Sequence, residues 1–169
     1  LALPDPADPA KTKQVPAGGA ARLATVVKQL RSRDPAHTIM VGAGDLVGAS
    51  PLLSSLFHDE PTVDVLSGMG LALTAVGNHE FDEGPDELKR LQNGGCHPVD
   101  GCKGPGPFAG ARYRYLAAST VETATGKTLF PAYAVREFDG VKVGFIGLTL
   151  KSTPDYVVPS GTAGLTFKD

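Results

Sequence analysis

Asn78 and His79 stand side by side where an apolar run, Leu73-Thr74-Ala75-Val76, breaks at Gly77, and Glu80, Phe81 and Asp82 follow. A carboxamide oxygen ligates a divalent cation without adding charge, an imidazole carries a proton to a leaving group, and a carboxylate three residues on can keep that imidazole oriented and charged. A second apolar run, residues 38–41, breaks into Gly42-Ala43-Gly44-Asp45. A carboxylate at such a break has two oxygens and can bridge two cations about 3.5–4 Å apart. Asp45 therefore reads as a bridging metal ligand and Asn78 as a terminal one. Adjacent residues on an extended chain point to opposite sides, so His79 is set apart from the metal as a group that would stabilise charge on a metal-bound phosphate or protonate its leaving oxygen, with Asp82 as its partner in a catalytic pair. The chemistry is metal-assisted hydrolysis.

Helices and strands alternate around these residues. Leu1 to Gly19 is rich in Pro, Ala, Lys and Asp without periodicity and reads as an extended loop. Leu23, Val26, Val27 and Leu30 recur at helical spacing between Ala20 and Arg33, and Asp34-Pro35 ends that helix. A strand over 38–41 delivers Asp45 to its carboxyl end. Ser50 reads as the N-cap of a helix with Pro51 at its first position, running to residue 56 or 57. A helix over 62–69, a strand over 71–76 and a helix over 85–91 follow, an order that implies a mainly parallel sheet covered by helices. Beyond the Gly- and Pro-rich stretch 93–110, residues 113–120 read as a strand. Residues 132–138 and 141–148 read as a hairpin turning at Asp139-Gly140 in a type I′ turn, with another turn at Thr125-Gly126-Lys127. In open α/β sheets ligands bind at the carboxyl ends of the strands, where Asp45 and Asn78 both fall.

At 169 residues the chain has the length of one domain or a piece of one. The net charge of -2 and scattered Lys and Arg provide no basic stripe, which argues against a nucleic-acid polymer as partner. No apolar run reaches the roughly 20 residues of a membrane span, and no signal peptide opens at Leu1, so an export signal is expected upstream. Cys96 and Cys102 lie in a loop of turn residues, where a local disulfide suits an oxidising compartment such as the periplasm, or the outside of the cell. Reduced thiols are the alternative, as is a zinc site from Cys96, His97 and Cys102, which lacks a fourth ligand.

Gly44-Asp45 followed by Gly77-Asn78-His79-Glu80 resembles the second and third motifs of the calcineurin-like metallophosphoesterases. Gly-Asp-Leu-Val-Gly-Ala-Ser-Pro over 44–51 and Gly-Asn-His-Glu-Phe-Asp-Glu-Gly over 77–84 narrow the resemblance to the 5′-nucleotidase and UDP-sugar hydrolase branch. Gly95-Cys96-His97-Pro98 and Val143-Gly144-Phe145-Ile146-Gly147 are similar to the same branch. The resemblance implies an α/β fold, part of an α/β/β/α sandwich with mixed sheets flanked by helices. It implies a dinuclear centre of Zn, Mn, Mg, Co or Fe, with Asp45 bridging, Asn78 ligating, and His79 with Asp82 catalytic. Its substrates would be small nucleotides: nucleoside monophosphates, and in some members nucleotide sugars or cyclic nucleotides. The branch's opening Asp-x-His and later Gly-His motifs have no counterpart here. Residues 1–169 are therefore expected to be an interior part of the catalytic domain without its C-terminal nucleotide-binding domain, and inactive in isolation.

Other residues invite blander readings. A Gly-Asp pair alone is a common turn, and it gains meaning only from its companion at the second strand end. Glu80 stands between a solvated acid and a group that supports the ligands. His37 and His58 read as surface residues, His97 as a loop residue, Asp64 and Asp86 as solvated helix positions. A binding module that keeps the fold without the reaction, and a hydrolase of sulfur esters, are the competing functions.

Overall fold

The computed structural model describes residues 2–15 and 18–169. Two compact units make up the chain, a smaller one up to Thr38 and a larger one, Ile39–Asp169. In the smaller unit, strands β1 (Ala2–Asp5) and β2 (Asp8–Gln14) pair antiparallel, Leu3 opposite Lys13. This corrects the expectation of an extended loop; Leu1, Pro16 and Ala17 of that expected loop lie outside the described residues. The reversal is local: Asp5 Oδ1 accepts the N–H of Ala7 at 2.9 Å, a side-chain turn around Pro6. Helix α1 (Ala20–Arg33) occupies the expected residues. Its stripe residues Leu23, Val26 and Leu30 are nonetheless exposed.

The larger unit is an α/β fold, as the resemblance implied, with one parallel and two antiparallel sheets beside its helices. Strands β3 (Met40–Gly42), β4 (Leu71–Ala75) and β5 (Arg114–Leu116) form a parallel sheet in that order, Gly42 opposite Thr74 and Thr74 opposite Tyr115. Helices α2 (Leu52–Ser55) and α3 (Glu60–Met69) connect β3 to β4, and α4 (Pro85–Asn93) follows β4. Gly70, at φ 79°, ends α3 with its N–H on the carbonyls of Leu66 and Ser67, a left-handed stop that glycine adopts without a Cβ clash. Val63, Leu73, Val76, Phe81 and Leu88 are buried to the last per cent or so, placing the core under the carboxyl end of β4.

Two expectations change and a third is met. The strand expected over 113–120 splits into β5 and β6 (Thr120–Glu122), and β6 pairs antiparallel with β9 (Leu165–Phe167). Between them Ala117 and Ala118 donate to Pro131 and Gly147 at 3.0 and 2.6 Å, so the chain leaves one sheet before entering the next. The cap of α2 is Pro51, while Ser50 Oγ turns back to the Gly48 carbonyl at 3.2 Å. The expected hairpin is present as β7 (Tyr133–Phe138) and β8 (Val141–Ile146), and Asp139 (φ 47°) and Gly140 (φ 82°) give its type I′ turn. Among the described residues no helix is long and apolar enough to cross a membrane.

Candidate metal centre

Parallel pairing of β3 with β4 sets two loops side by side, and two glycines let them touch. A Cβ on Gly44 (φ 92°) would land on the Gly77 backbone, and one on Gly77 would land on the Asp45 carboxylate. Asp45 itself adopts φ 54°, a left-handed conformation that Asp tolerates better than most side chains. Thr74 Oγ1 accepts from Gly44 N at 3.3 Å and ties the first loop to β4.

Glu80 holds the corner from beneath. Its carboxylate is 3% exposed and accepts three backbone N–H groups, from Asp45 (2.8 Å), Leu46 (2.7 Å) and Gly77 (2.7 Å). Burial pushes its pKa up while these three donors pull it down, and burial prevails. Glu80 thus ties the loop after β3 to the loop after β4 and is buried rather than a solvated acid.

A 3₁₀ turn, His79–Phe81, carries the remaining groups. Phe81 is fully buried, edge-on to Phe167 with centroids 5.4 Å apart, and anchors the turn. With three residues per turn, positions i and i+3 eclipse, so His79 and Asp82 meet on the outer side: His79 Nδ1 lies 3.0 Å from Asp82 Oδ2. That hydrogen bond raises the His79 pKa against a partial burial that would lower it. Asp82 Oδ2 also accepts Ala49 N at 3.0 Å, tying the pair to the loop beyond Asp45. Asn78 has φ -76° and ψ -36°, so the corner is helical rather than extended. The strand alternation assumed from sequence therefore does not apply to Asn78 and His79.

Of the two oxygens of Asp45, Oδ1 accepts the His79 N–H at 3.1 Å. Among the described residues, Asp45 Oδ2 and the Asn78 side-chain amide have no hydrogen-bond partner. A carboxylate oxygen and a carboxamide left unclaimed on a backbone fixed by three buried hydrogen bonds are a donor set that fits a hard or borderline divalent cation.

Asp59 goes unread in the sequence, and the surface reading of His58 is corrected. Asp59, buried and at φ 59°, accepts Gly48 N at 2.9 Å, and its Oδ1 is buried without a partner. His58 is no free surface residue: its nitrogens lie 2.7 Å from Glu83 and 3.0 Å from Asp100. No periodicity announces either, because both act through loops distant in sequence. His97 is a loop residue as expected but stacks on His58. His37 is exposed beside Asp34, and Asp64 and Asp86 are exposed on their helices. Cys96 and Cys102 are joined in a disulfide, which excludes the zinc site built on their thiolates.

No family model matches the chain. Curated relatives do. It is 44% identical over 142 residues to an uncharacterized protein in the pqq-V 5′ region of Acinetobacter calcoaceticus, covering 82% of this chain and 69% of that one. It is 41% identical over 133 residues to the endonuclease YhcR of Bacillus subtilis, covering 79% of this chain but 11% of the relative. It is 29% identical over 154 residues to a 5′-nucleotidase of Vibrio cholerae, 89% of this chain and 25% of the relative. Among solved structures, a 5′-nucleotidase precursor from Thermus thermophilus superposes on the whole chain and 29% of its own length, with a TM-score of 0.72 at 25% identity. The chain thus spans about two thirds of one of these relatives and a quarter or less of the other two.

Proposed function

The chain belongs to the 5′-nucleotidase branch of the calcineurin-like metallophosphoesterases, and from that membership we propose that its protein hydrolyses phosphate esters of small nucleotides, nucleoside monophosphates first. The observation that carries the reading is the pair of unclaimed donors, Asp45 Oδ2 and the Asn78 carboxamide, beside the hydrogen-bonded His79 and Asp82. Asp45 and Asn78 are the residues of this chain that would hold a divalent metal pair, Asp45 between the two ions. Such ions supply a Lewis acid for the phosphoryl oxygens and an activated water.

The rest is done by side chains. His79, kept charged by Asp82, donates a proton to the leaving oxygen or balances the charge that grows on the phosphoryl group. Asp82 holds Nδ1, so the proton to be delivered sits on Nε2. Glu80 keeps Asp45 and Gly77 in register through the cycle. The disulfide supports a place outside the cytoplasm, periplasmic or secreted. The 169 residues alone are proposed to turn over slowly, since Asp45 and Asn78 are too few ligands for two ions.

The test is phosphate release from AMP by the full-length protein, with and without chelator. His79→Ala should lower kcat by about 10²- to 10⁴-fold, the span of general acid catalysis, and leave metal content unchanged. Unchanged turnover would remove the His79–Asp82 assignment. A panel of UDP-sugar, cyclic nucleotide, sulfur ester and single-stranded DNA places the substrate. Preference for the polymer would favour the activity in the name of the Bacillus relative, although this chain covers only 11% of that protein.

A further inference from the structure

Between the loop ahead of α3 and the loop closed by the disulfide lies a second cluster, made of residues other than those of the Asp45 corner. His58 Nε2 lies 3.0 Å from Asp100 Oδ2, and His58 Nδ1 lies 2.7 Å from Glu83 Oε2. The His97 ring stacks on that of His58, with centroids 3.9 Å apart and planes within 7°. One nitrogen from each imidazole and one Asp100 oxygen fall within 4.8 Å of one another. His58 is 13% exposed, so the cluster is sheltered without being sealed.

Its parts have the roles a metal site requires. Glu83 takes the N–H at His58 Nδ1, the way a carboxylate orients a metal-binding histidine, and so leaves the lone pair at Nε2 facing Asp100. His97 Nδ1 accepts the Asp100 N–H at 3.1 Å, so it too carries a lone pair that could be exchanged for a cation. His97 and Asp100 share the loop closed by Cys96–Cys102 and by paired backbone bonds between His97 and Gly101. His97 and Asp100 are therefore held on one short loop, and on binding the parallel rings of His58 and His97 tilt so that their in-plane lone pairs converge on one cation. Glu87 is also near His58, but Arg90 holds both its oxygens at 2.7 Å and withdraws it. Lys103 is a weaker rival for Asp100, at 3.4 Å.

We propose that His58, His97 and Asp100 bind one borderline divalent cation, Zn²⁺ foremost, fastening the entry of α3 to the disulfide loop. Two imidazoles and a carboxylate suit zinc, whereas calcium and magnesium call for oxygen-only sets. A water completes the tetrahedron. The rival state is a protonated His58 clamped between Glu83 and Asp100, with no cation.

Nuclear magnetic resonance of the histidine ring nitrogens separates the two, because the chain has four histidines, 37, 58, 79 and 97. Titration of the ¹⁵N-labelled chain with Zn²⁺ should move His58 and His97 to metal-bound shifts with one equivalent. Asp100→Asn should weaken that step at least about tenfold. His79 is the internal control, since zinc at the Asp45 corner perturbs it instead. Zinc that leaves His58 and His97 unshifted overturns the proposal, as does an affinity for them unaltered in Asp100→Asn. Should that variant lose its fold, equilibrium dialysis on His58→Gln decides: loss of one bound zinc supports the site, and unchanged stoichiometry refutes it.

Discussion

Arg90 and Glu80 are both buried charged side chains of the larger unit, yet they are balanced by different kinds of partner. Arg90 donates to both oxygens of Glu87 and to Glu60, reaches the Gly95 carbonyl at 2.8 Å, and lies 5.7 Å over the Phe108 ring. That cluster is closed: charge answers charge, and little is left for a ligand. Glu80 accepts three backbone N–H groups and meets no cation among the described residues. Because it is satisfied by main chain, it can brace the corner while Asp45 and Asn78, one strand end away, keep their donors free. An acidic residue thus marks a candidate site by what it leaves unpaired, not by being acidic or buried.

Substitutions can break this contrast. Arg90→Ala strands Glu60 and Glu87, and removing one partner of a buried ion cluster costs about 3–5 kcal/mol, readable as a lowered urea midpoint. A near-neutral result would show the cluster to be hydrated rather than closed. Glu80→Gln keeps the shape but leaves one backbone N–H facing an amide N–H, and should cost about 1–3 kcal/mol. It should also weaken metal binding, because Asp45 and Gly77 lose their common brace; full metal affinity would separate Glu80 from the site. Asp45→Asn comes last in stability, within about 0.5 kcal/mol, since Asp45 is exposed and Asn also tolerates its positive φ. Metal content and turnover of the full-length protein should nevertheless collapse. If Asp45→Asn unfolds the protein while sparing turnover, the contrast between anchor and site is inverted.

Much of the framework was legible because it is written in local periodicity. Helix α1, strand β4, helix α4 and the Asp139-Gly140 turn follow from spacing and from residues that favour positive φ. The β1–β2 hairpin was hidden by prolines, which disfavour strands in general yet are tolerated in a two-stranded ribbon whose outer edges need no partner. Residues 113–120 misled because apolar strand-like composition says nothing of which sheet supplies the partner. His58 misled more deeply, since its two carboxylate partners lie 25 and 42 residues away.

The groups able to do chemistry are visible in local sequence: two apolar runs ending in Gly-Asp and Gly-Asn-His, and an Asp three residues beyond the His. Side-chain type and short spacing are local properties, and His79 and Asp82 meet through a single turn. That Asp45 and Asn78 share a corner, that Glu80 sits beneath it, and that His58 joins the disulfide loop are products of the folded chain. These depend on parallel strand pairing, on glycine contacts that no Cβ would permit, and on hydrogen bonds between residues some 35 positions apart. Long-range pairing is set by burial and packing of the whole unit, and no window of sequence contains it.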